Sequence, residues 1–173
     1  MEHYEAKRKF GTVTSITIEA LGEPGQRTFR MLLESTLSSA CLWLEKEQLQ
    51  HVATYIQEVS EGLSHNQMEQ RYEGDEKPQM EDSSDLEFKV GKLALGHDGS
   101  ANSFLFLAHD VASDDNDPPD LAFSVSLGRA QQLAKETLEV CAAGRPLCFL
   151  CGQPVNLEGH MCVRSNGHQS IQP

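Results

Sequence analysis

The chain has 173 residues, a formal net charge of −12 and 39% hydrophobic residues. This length fits one domain of ordinary size, or one domain with a small appendage. No apolar run approaches the ~20 residues of a membrane span, and the first ten residues lack the apolar stretch of a signal peptide. We therefore expect a cytoplasmic protein with no membrane segment.

The negative charge is concentrated in two segments. Residues 64–87 carry eight acidic residues against two basic ones, and residues 110–120 carry five aspartates and no basic residue. The second segment lacks the glycine and glutamate of a calcium-binding EF-hand loop, so we expect a solvated connection there. The rest of the chain is nearly neutral. Nucleic acid is therefore an unexpected partner, and a protein with a basic surface is an expected one.

The first half of the chain predicts three strands followed by a helix. Alternating β-branched residues predict a strand over 10–20, and shorter apolar runs predict strands over 27–34 and 40–44. From Glu45 the apolar period changes to three and four, which places one helical face on Leu49, Val52, Ile56, Val59 and Leu63.

The second half repeats this order after the acidic segment. Strands are predicted over 88–95, with a bulge at Gly91, over 102–109 and over 121–127, and a helix is predicted from about Arg129 to Gly144. A single three-strand and one-helix unit cannot bury its sheet face, whereas two units can share a core. We therefore predict an α+β fold, with a mostly antiparallel sheet built from two βββα-like halves.

The C-terminal run CFLCGQPVNLEGHMC contains four metal-ligand side chains within fifteen residues. Cys148 and Cys151 are two residues apart, and His160 and Cys162 are separated by one residue. Three thiolates and an imidazole match a tetrahedral Zn²⁺ site, and four protein ligands leave no open position. The sequence thus predicts a structural zinc knuckle over 146–173, beyond an α+β domain over 1–145 that contains the acidic linker 64–87.

Two other interpretations of this run stay open. A Cys-x-x-Cys pair can act as a redox dithiol, but such a pair usually opens a helix after a strand. Here Gly144, Arg145 and Pro146 precede the pair, and Pro154 follows it, which disfavours a helix. The four side chains could also lie near each other by chance. Cys41 and Cys141 lie within apolar patterns and are predicted to be packed core thiols.

The turn sequence GEPGQR, residues 22–27, is a second candidate site. Its backbone N–H groups around Gly25, together with the guanidinium of Arg27, could bind a phosphate or carboxylate. Arg145 and Arg164 near the C-terminus are further candidate anion ligands. A plain β-turn followed by a surface arginine explains the same residues, because glycine and proline are common turn formers.

Three segments resemble the DUF3090 family, a bacterial family of unknown function found in actinobacteria and chloroflexi. They are GEPGQRTF near the start, VGKLALG in the middle, and the run from Gly144 to His168. The resemblance covers nearly the whole chain in the same order. Members carry Gly-Arg-Pro, Cys-x-x-Cys-Gly, Glu-Gly-His-x-Cys and Arg-x-Asn-Gly, which implies the same four ligands here. The resemblance implies no activity.

No catalytic constellation emerges from the seven histidines, since no nucleophile motif accompanies them. We therefore expect a non-enzymatic binding or adaptor protein with a structural zinc site. The alternative is an enzyme that acts on a phosphorylated small molecule, with Arg27 as an anion binder. We also expect Arg164 and Asn166 to pack back onto the knuckle or beside the first hairpin near Arg27.

Overall fold

The computed structural model describes residues 5–63, 86–144, 148–151, 155, 160–162, 164 and 170–171. Within them lie nine strands and two helices. In chain order these are β1 (Arg8–Thr12), β2 (Ser15–Leu21), β3 (Thr28–Glu34), β4 (Ser39–Leu44), α1 (Lys46–Gly62), β5 (Leu86–Asp98), β6 (Ser103–Asp110), β7 (Leu121–Ser126), α2 (Leu127–Ala142), β8 (His160–Met161) and β9 (Ser170–Ile171).

Seven strands form one mostly antiparallel sheet in the order β1-β7-β6-β5-β4-β3-β2. Strands β2, β3 and β4 form one antiparallel meander that runs into α1, and β5, β6 and β7 form another that runs into α2. The two parallel pairings, β4 with β5 and β7 with β1, connect the halves. The predicted α+β class, with two βββα-like halves, is confirmed.

The single strand predicted over 10–20 is wrong, because the chain breaks at Val13 and Thr14. The resulting strands β1 and β2 lie at opposite edges of the sheet. The N–H of Val13 donates to Ser124 in β7 (2.9 Å), whereas the next N–H, of Thr14, donates to Glu34 in β3 (2.8 Å). Since neighbouring residues bond to strands near opposite edges, the sheet must curl until those edges meet.

Strand β5 is the middle strand of the sheet, where the sheet bends on the side opposite to the edges formed by β1 and β2. Its first residues pair with β4, and its remaining residues pair with β6. The predicted bulge at Gly91 is present as a register shift between Val90 and Lys92. Bulges bend a strand and increase its twist, which lets one strand serve two parts of a sheet.

One apolar core joins both halves and both helices. Its largest fully buried side chains come from five strands and the two helices: Ile16, Met31, Leu33, Leu42, Leu49, Ile56, Phe104, Phe106, Leu121, Phe123, Leu127 and Leu133. The rings of Phe106 and Phe123 stack with centroids 4.7 Å apart. Helices α1 and α2 pack against each other, and α2 also packs on β2, β6 and β7. The apolar faces predicted from periodicity therefore cover the inner side of the sheet.

A buried arginine connects α2 to the closing strand. Arg129 is 8% exposed, and its guanidinium donates to the carbonyl of Ile16 in β2 and to the carboxylate of Glu136. A buried guanidinium is stable only when it is paired and hydrogen-bonded. This residue therefore fixes α2 against the edge at which the sheet closes.

The aspartate-rich connection between β6 and β7 is an ordered loop held by Lys7. The Lys7 Nζ lies 3.0 Å from Asp117 Oδ2, 2.9 Å from Asp120 Oδ1 and 3.2 Å from Ser113 Oγ. The other carboxylate oxygen of Asp120 accepts hydrogen bonds from the Asp110 N–H and from Ser113 Oγ. Instead of a merely solvated connection, the loop forms a binding site for the chain's own ammonium group.

Several predictions concern residues that the structure does not describe. The acidic linker 64–87 lies outside the described residues except for its last two positions, and Arg145 and Asn166 also lie outside them. Whether 1–145 and 146–173 are separate domains stays a prediction. Among the described helices, none is long and apolar enough to cross a membrane.

We predict that Gly91→Ala destabilises the fold. A Cβ at this position would lie 2.8 Å from the Cα of Val111. This Cα is a backbone atom, and it cannot move away without distorting the bend in β5. We expect a loss of about 1–3 kcal/mol in the free energy of unfolding, measured by urea denaturation. Gly96→Ala in the same strand is the control. A Cβ there meets nothing within 4 Å, so we expect no loss. Equal losses at both positions would contradict this account of the bend.

We also predict a pH-dependent contribution from Asp120. Partial burial raises the pKa of its carboxyl, but hydrogen bonds from the Asp110 N–H, Lys7 and Ser113 outweigh that effect and lower the pKa below the ordinary 3.8. Its stabilisation is therefore complete above pH 3.8 and disappears as the pH falls through the lower pKa of the folded state.

Thermal unfolding of Asp120→Asn across acid and neutral pH tests this contribution. The variant should melt below the wild type at neutral pH, and the difference should narrow in acid. Asp115→Asn, which removes an exposed carboxylate from the same loop, is the charge-matched control and should change the melting temperature little. A constant difference at every pH would show that ionisation of Asp120 is not the cause.

Candidate metal centre

The four predicted ligands converge at the C-terminal end of the chain. Their ligand atoms, from Cys148, Cys151, His160 and Cys162, all lie within 4.8 Å of one another. The Sγ atoms of Cys148 and Cys162 are 3.8 Å apart, and Cys151 Sγ lies 3.8 Å from His160 Nε2. This cluster could hold one metal ion.

The distances fit a tetrahedral ion better than a disulfide. Two sulfurs bound about 2.3 Å from a tetrahedral Zn²⁺ are roughly 3.8 Å apart, whereas bonded disulfide sulfurs are about 2.05 Å apart. The separation of 3.8 Å between Cys148 and Cys162 matches the first value. The structure describes all five cysteines, and none of them forms a disulfide.

The local backbone prepares Cys148 to act as a thiolate. Burial raises the pKa of its thiol, but hydrogen bonds from the N–H groups of Cys151 and Leu150, and from the His160 and Cys151 side chains, outweigh burial and lower the pKa from 9.0 to about 6. A turn that directs two N–H groups at one sulfur stabilises its negative charge, and metals bind the deprotonated form. By contrast, burial raises the pKa of Cys41 and Cys141, as expected of core thiols.

The second pair of candidate ligands lies at a two-stranded sheet. His160 and Met161 form β8, which pairs antiparallel with Ser170 and Ile171 of β9. This pairing keeps the His-x-Cys segment extended, so that His160 and Cys162 both face the cluster. The chain therefore returns to the metal centre after the last ligand.

The cluster has a small apolar centre of its own. Cys148, Cys162 and Val155 are each 3% exposed and pack together, with Cys151 beside them. Sequence reasoning did not single out Val155, because one valine between Pro154 and Asn156 gives no periodic signal. This centre is distinct from the main core.

Arg27 and Arg164, the two described arginines among those predicted to bind anions, contact backbone carbonyls. Arg27 donates from Nη1 to the carbonyl of Val140 in the last turn of α2, at 3.0 Å. A cation there also interacts favourably with the helix dipole. The preceding turn is closed by a bond from the Gln26 N–H to the Glu23 carbonyl, and Gly25 has φ +96°. Arg164 donates to the Leu150 carbonyl at 3.3 Å. Anion binding by Gly25, Arg27 and Arg164 stays a prediction.

Arg164 thus packs back on the knuckle through the Leu150 carbonyl, which was one of the expected positions for the tail. The described contacts do not connect Arg164 with Arg27. Among the described histidines, His160 belongs to the cluster of candidate metal ligands. His97 packs against the ring of Phe104, with centroids 5.0 Å apart, as a partly buried residue near the core.

Comparison with known proteins supports the resemblance seen in the sequence. No curated protein and no solved structure matches this chain. The model of one family, described as "Protein of unknown function (DUF3090)", matches residues 8–162. This range begins with β1, spans the whole seven-stranded sheet and includes all four clustered ligands. The chain therefore belongs to the DUF3090 family.

Proposed function

We propose that this chain is a non-enzymatic binding protein, or adaptor, whose C-terminal segment is held by one structural Zn²⁺. Cys148, Cys151, His160 and Cys162 would be the ligands. One observation carries this proposal. The four donor atoms lie within 4.8 Å of one another, so together they can fill all four positions around a tetrahedral ion. A four-coordinate site leaves no position for water or substrate, so such an ion has a structural role.

The donor atoms favour zinc over other common ions. Three thiolates and one imidazole are soft or borderline ligands, whereas Mg²⁺ and Ca²⁺ prefer oxygen. A set of three cysteines and one histidine is a frequent structural zinc set. Five cysteines without a disulfide fit a reducing compartment, so we also propose a cytoplasmic location.

The side chains between the ligands form the proposed binding surface. Phe149, between the first two cysteines, is 83% exposed, and Met161, between His160 and Cys162, is 72% exposed. Since the ligands turn inward to the cluster, the intervening side chains turn outward. Exposed aromatic and methionine side chains are enriched at protein interfaces. Zinc would fix the backbone that presents them.

The acidic body suggests the nature of the partner. Residues 145–173 contain Arg145, Arg164 and one acidic residue, Glu158, so they carry a formal charge of +1 and the rest of the chain carries −13. A protein with a basic surface and an apolar contact point would complement both features. Nucleic acid would be repelled by the acidic body.

The enzyme alternative has less support. It needs Arg27 to bind a phosphate, but Nη1 of this guanidinium contacts the carbonyl end of α2. Its Nε is buried from solvent, so a substrate group does not reach that atom. The contact of Arg27 with Val140 favours a structural role.

We predict that the purified protein binds one Zn²⁺ per chain. X-ray absorption should show three sulfurs at about 2.3 Å and one nitrogen at about 2.0 Å. Cys162→Ser should weaken zinc binding by about 100-fold or more, because it removes one of four ligands. Cys41→Ser, at another buried cysteine, should leave it unchanged. Equal affinity in both variants would refute the assignment.

Removal of the metal should expose the amides of β8 and β9 to hydrogen exchange, while the amides of the seven-stranded sheet stay protected.

We predict that Phe149→Ser abolishes partner binding without loss of zinc. The side chain is exposed, so the free energy of unfolding should change by less than about 0.5 kcal/mol. Partners recovered from native cell extract should be compared by mass spectrometry. Leu37→Ser is the matched control, because Leu37 is 91% exposed in the turn between β3 and β4. If both variants recover the same proteins as the wild type, the knuckle is not the binding surface.

A further inference from the structure

The two halves of the sheet correspond position by position. When positions are counted from the start of each helix and carried across the strand pairings, Phe29 corresponds to Phe104, Met31 to Phe106 and Leu42 to Phe123. Each of these pairs consists of two buried apolar residues of the shared core. The same correspondence applies to the outer face of the sheet, which points away from that core.

On the outer face of the first half, large side chains fill one row across the strands. Glu19, Arg30 and Trp43 stand side by side on β2, β3 and β4. Arg30 lies 2.7 Å from Glu19 and has its guanidinium 5.9 Å from the centre of the Trp43 ring. The indole N–H donates to Glu87 in β5 at 2.7 Å. A flat ring therefore covers this half of the sheet.

The corresponding row of the second half lacks these large polar and aromatic side chains. Gly96, Leu105 and Ser124 take the places of Glu19, Arg30 and Trp43, respectively. A Cβ on Gly96 would meet nothing within 4 Å. A cavity of about 850 Å³ lies above this row, and we call it the trough. Its volume is within the usual range for small-molecule sites.

The charge at one end of the trough is the reverse of that in the first half. Lys9 of β1 pairs with Ala122, as Glu87 of β5 pairs with Cys41, so Lys9 takes the place of Glu87. Glu87 accepts a hydrogen bond from the indole of Trp43. An exposed ammonium at this position donates hydrogen bonds instead and attracts an anion.

We propose that the trough binds a small anionic molecule with a planar ring. The ring lies over Gly96 and Ser124, in the space that an indole fills in the first half, and packs against Leu105. Its carboxylate or phosphate contacts the ammonium of Lys9. The site is separate from the metal centre and goes beyond the proposed adaptor function.

The polar groups around the trough agree with this ligand. Thr12, Ser103 and Ser124 are among the residues that line it, and their hydroxyls can donate to an anion or accept from a ring N–H. The carboxylate of Asp98, at the far rim, already accepts hydrogen bonds from Ser100 and from the Ala101 N–H. Its charge is therefore partly satisfied within its own turn and repels an anion less than a bare carboxylate does.

Nuclear magnetic resonance titration of the full chain with indole-3-acetate tests the proposal. This probe joins the ring of a tryptophan side chain to a carboxylate. We expect saturable shifts of the Lys9, Gly96 and Ser124 amides, with affinity in the millimolar range because the probe is small. The neutral indole-3-acetamide should bind about tenfold more weakly, since it lacks the charge that contacts Lys9.

Three variants separate the trough from other surfaces. Lys9→Glu should weaken binding of the probe about tenfold or more, whereas Lys135→Glu, an equal charge change on an exposed helix residue, should not. Gly96→Leu should abolish binding and remain folded, because its side chain enters open space. Ser124→Trp rebuilds the row of the first half and should also abolish binding, whereas Glu58→Trp, on the exposed face of α1, should not.

Four outcomes of these experiments would contradict the proposal. Absence of shifts at millimolar probe overturns the proposal, as do shifts that map to the metal centre or to α1 and α2. Unchanged affinity in folded Gly96→Leu also overturns it. Equal affinity for the acid and the amide would refute the role of Lys9 and, with it, the anionic class of ligand.

Discussion

The N–H groups of Val13 and Thr14 face strands near opposite edges of the sheet, and the rest of the fold depends on this divergence. One donates to β7 and the next to β3. A flat sheet of seven strands would hold these partners four strand spacings apart, or about 19 Å. Only a strongly curled sheet brings them to adjacent residues. The curl encloses the core, and Arg129 fixes α2 against the closing edge.

The curling of the sheet around one core also explains how its two similar halves can carry different side chains on the outer face. Inside the sheet, each half must supply apolar side chains of suitable volume, because the two halves share one core and its packing is dense. Outside, no such constraint applies. The outer face of the first half carries an arginine stacked on a tryptophan, and the second half carries glycine and serine at the matching places. The shared architecture thus leaves the outer surface open to specialisation.

The sequence predicts local features of this molecule well and long-range ones poorly. The helix faces, the bulge at Gly91 and the cluster of Cys148, Cys151, His160 and Cys162 follow from spacing within short segments. The break at Val13 does not follow from any such local spacing. Both residues there favour strands, and the nearest glycine, Gly11, lies two residues earlier within β1, because the break is imposed by pairing with strands far along the chain. The trough was missed for the same reason, since its residues come from four strands.

The pairing of β1 with β7 has a consequence for synthesis. Strand β1 is made early, and its partner follows more than a hundred residues later. A growing chain can pair β2, β3 and β4 while β1 still lacks its neighbour. An exposed strand edge is a site of wrong association, and contacts so distant in sequence form slowly. The nascent protein must therefore keep β1 unpaired until β7, the last strand of the seven-stranded sheet in chain order, has left the ribosome.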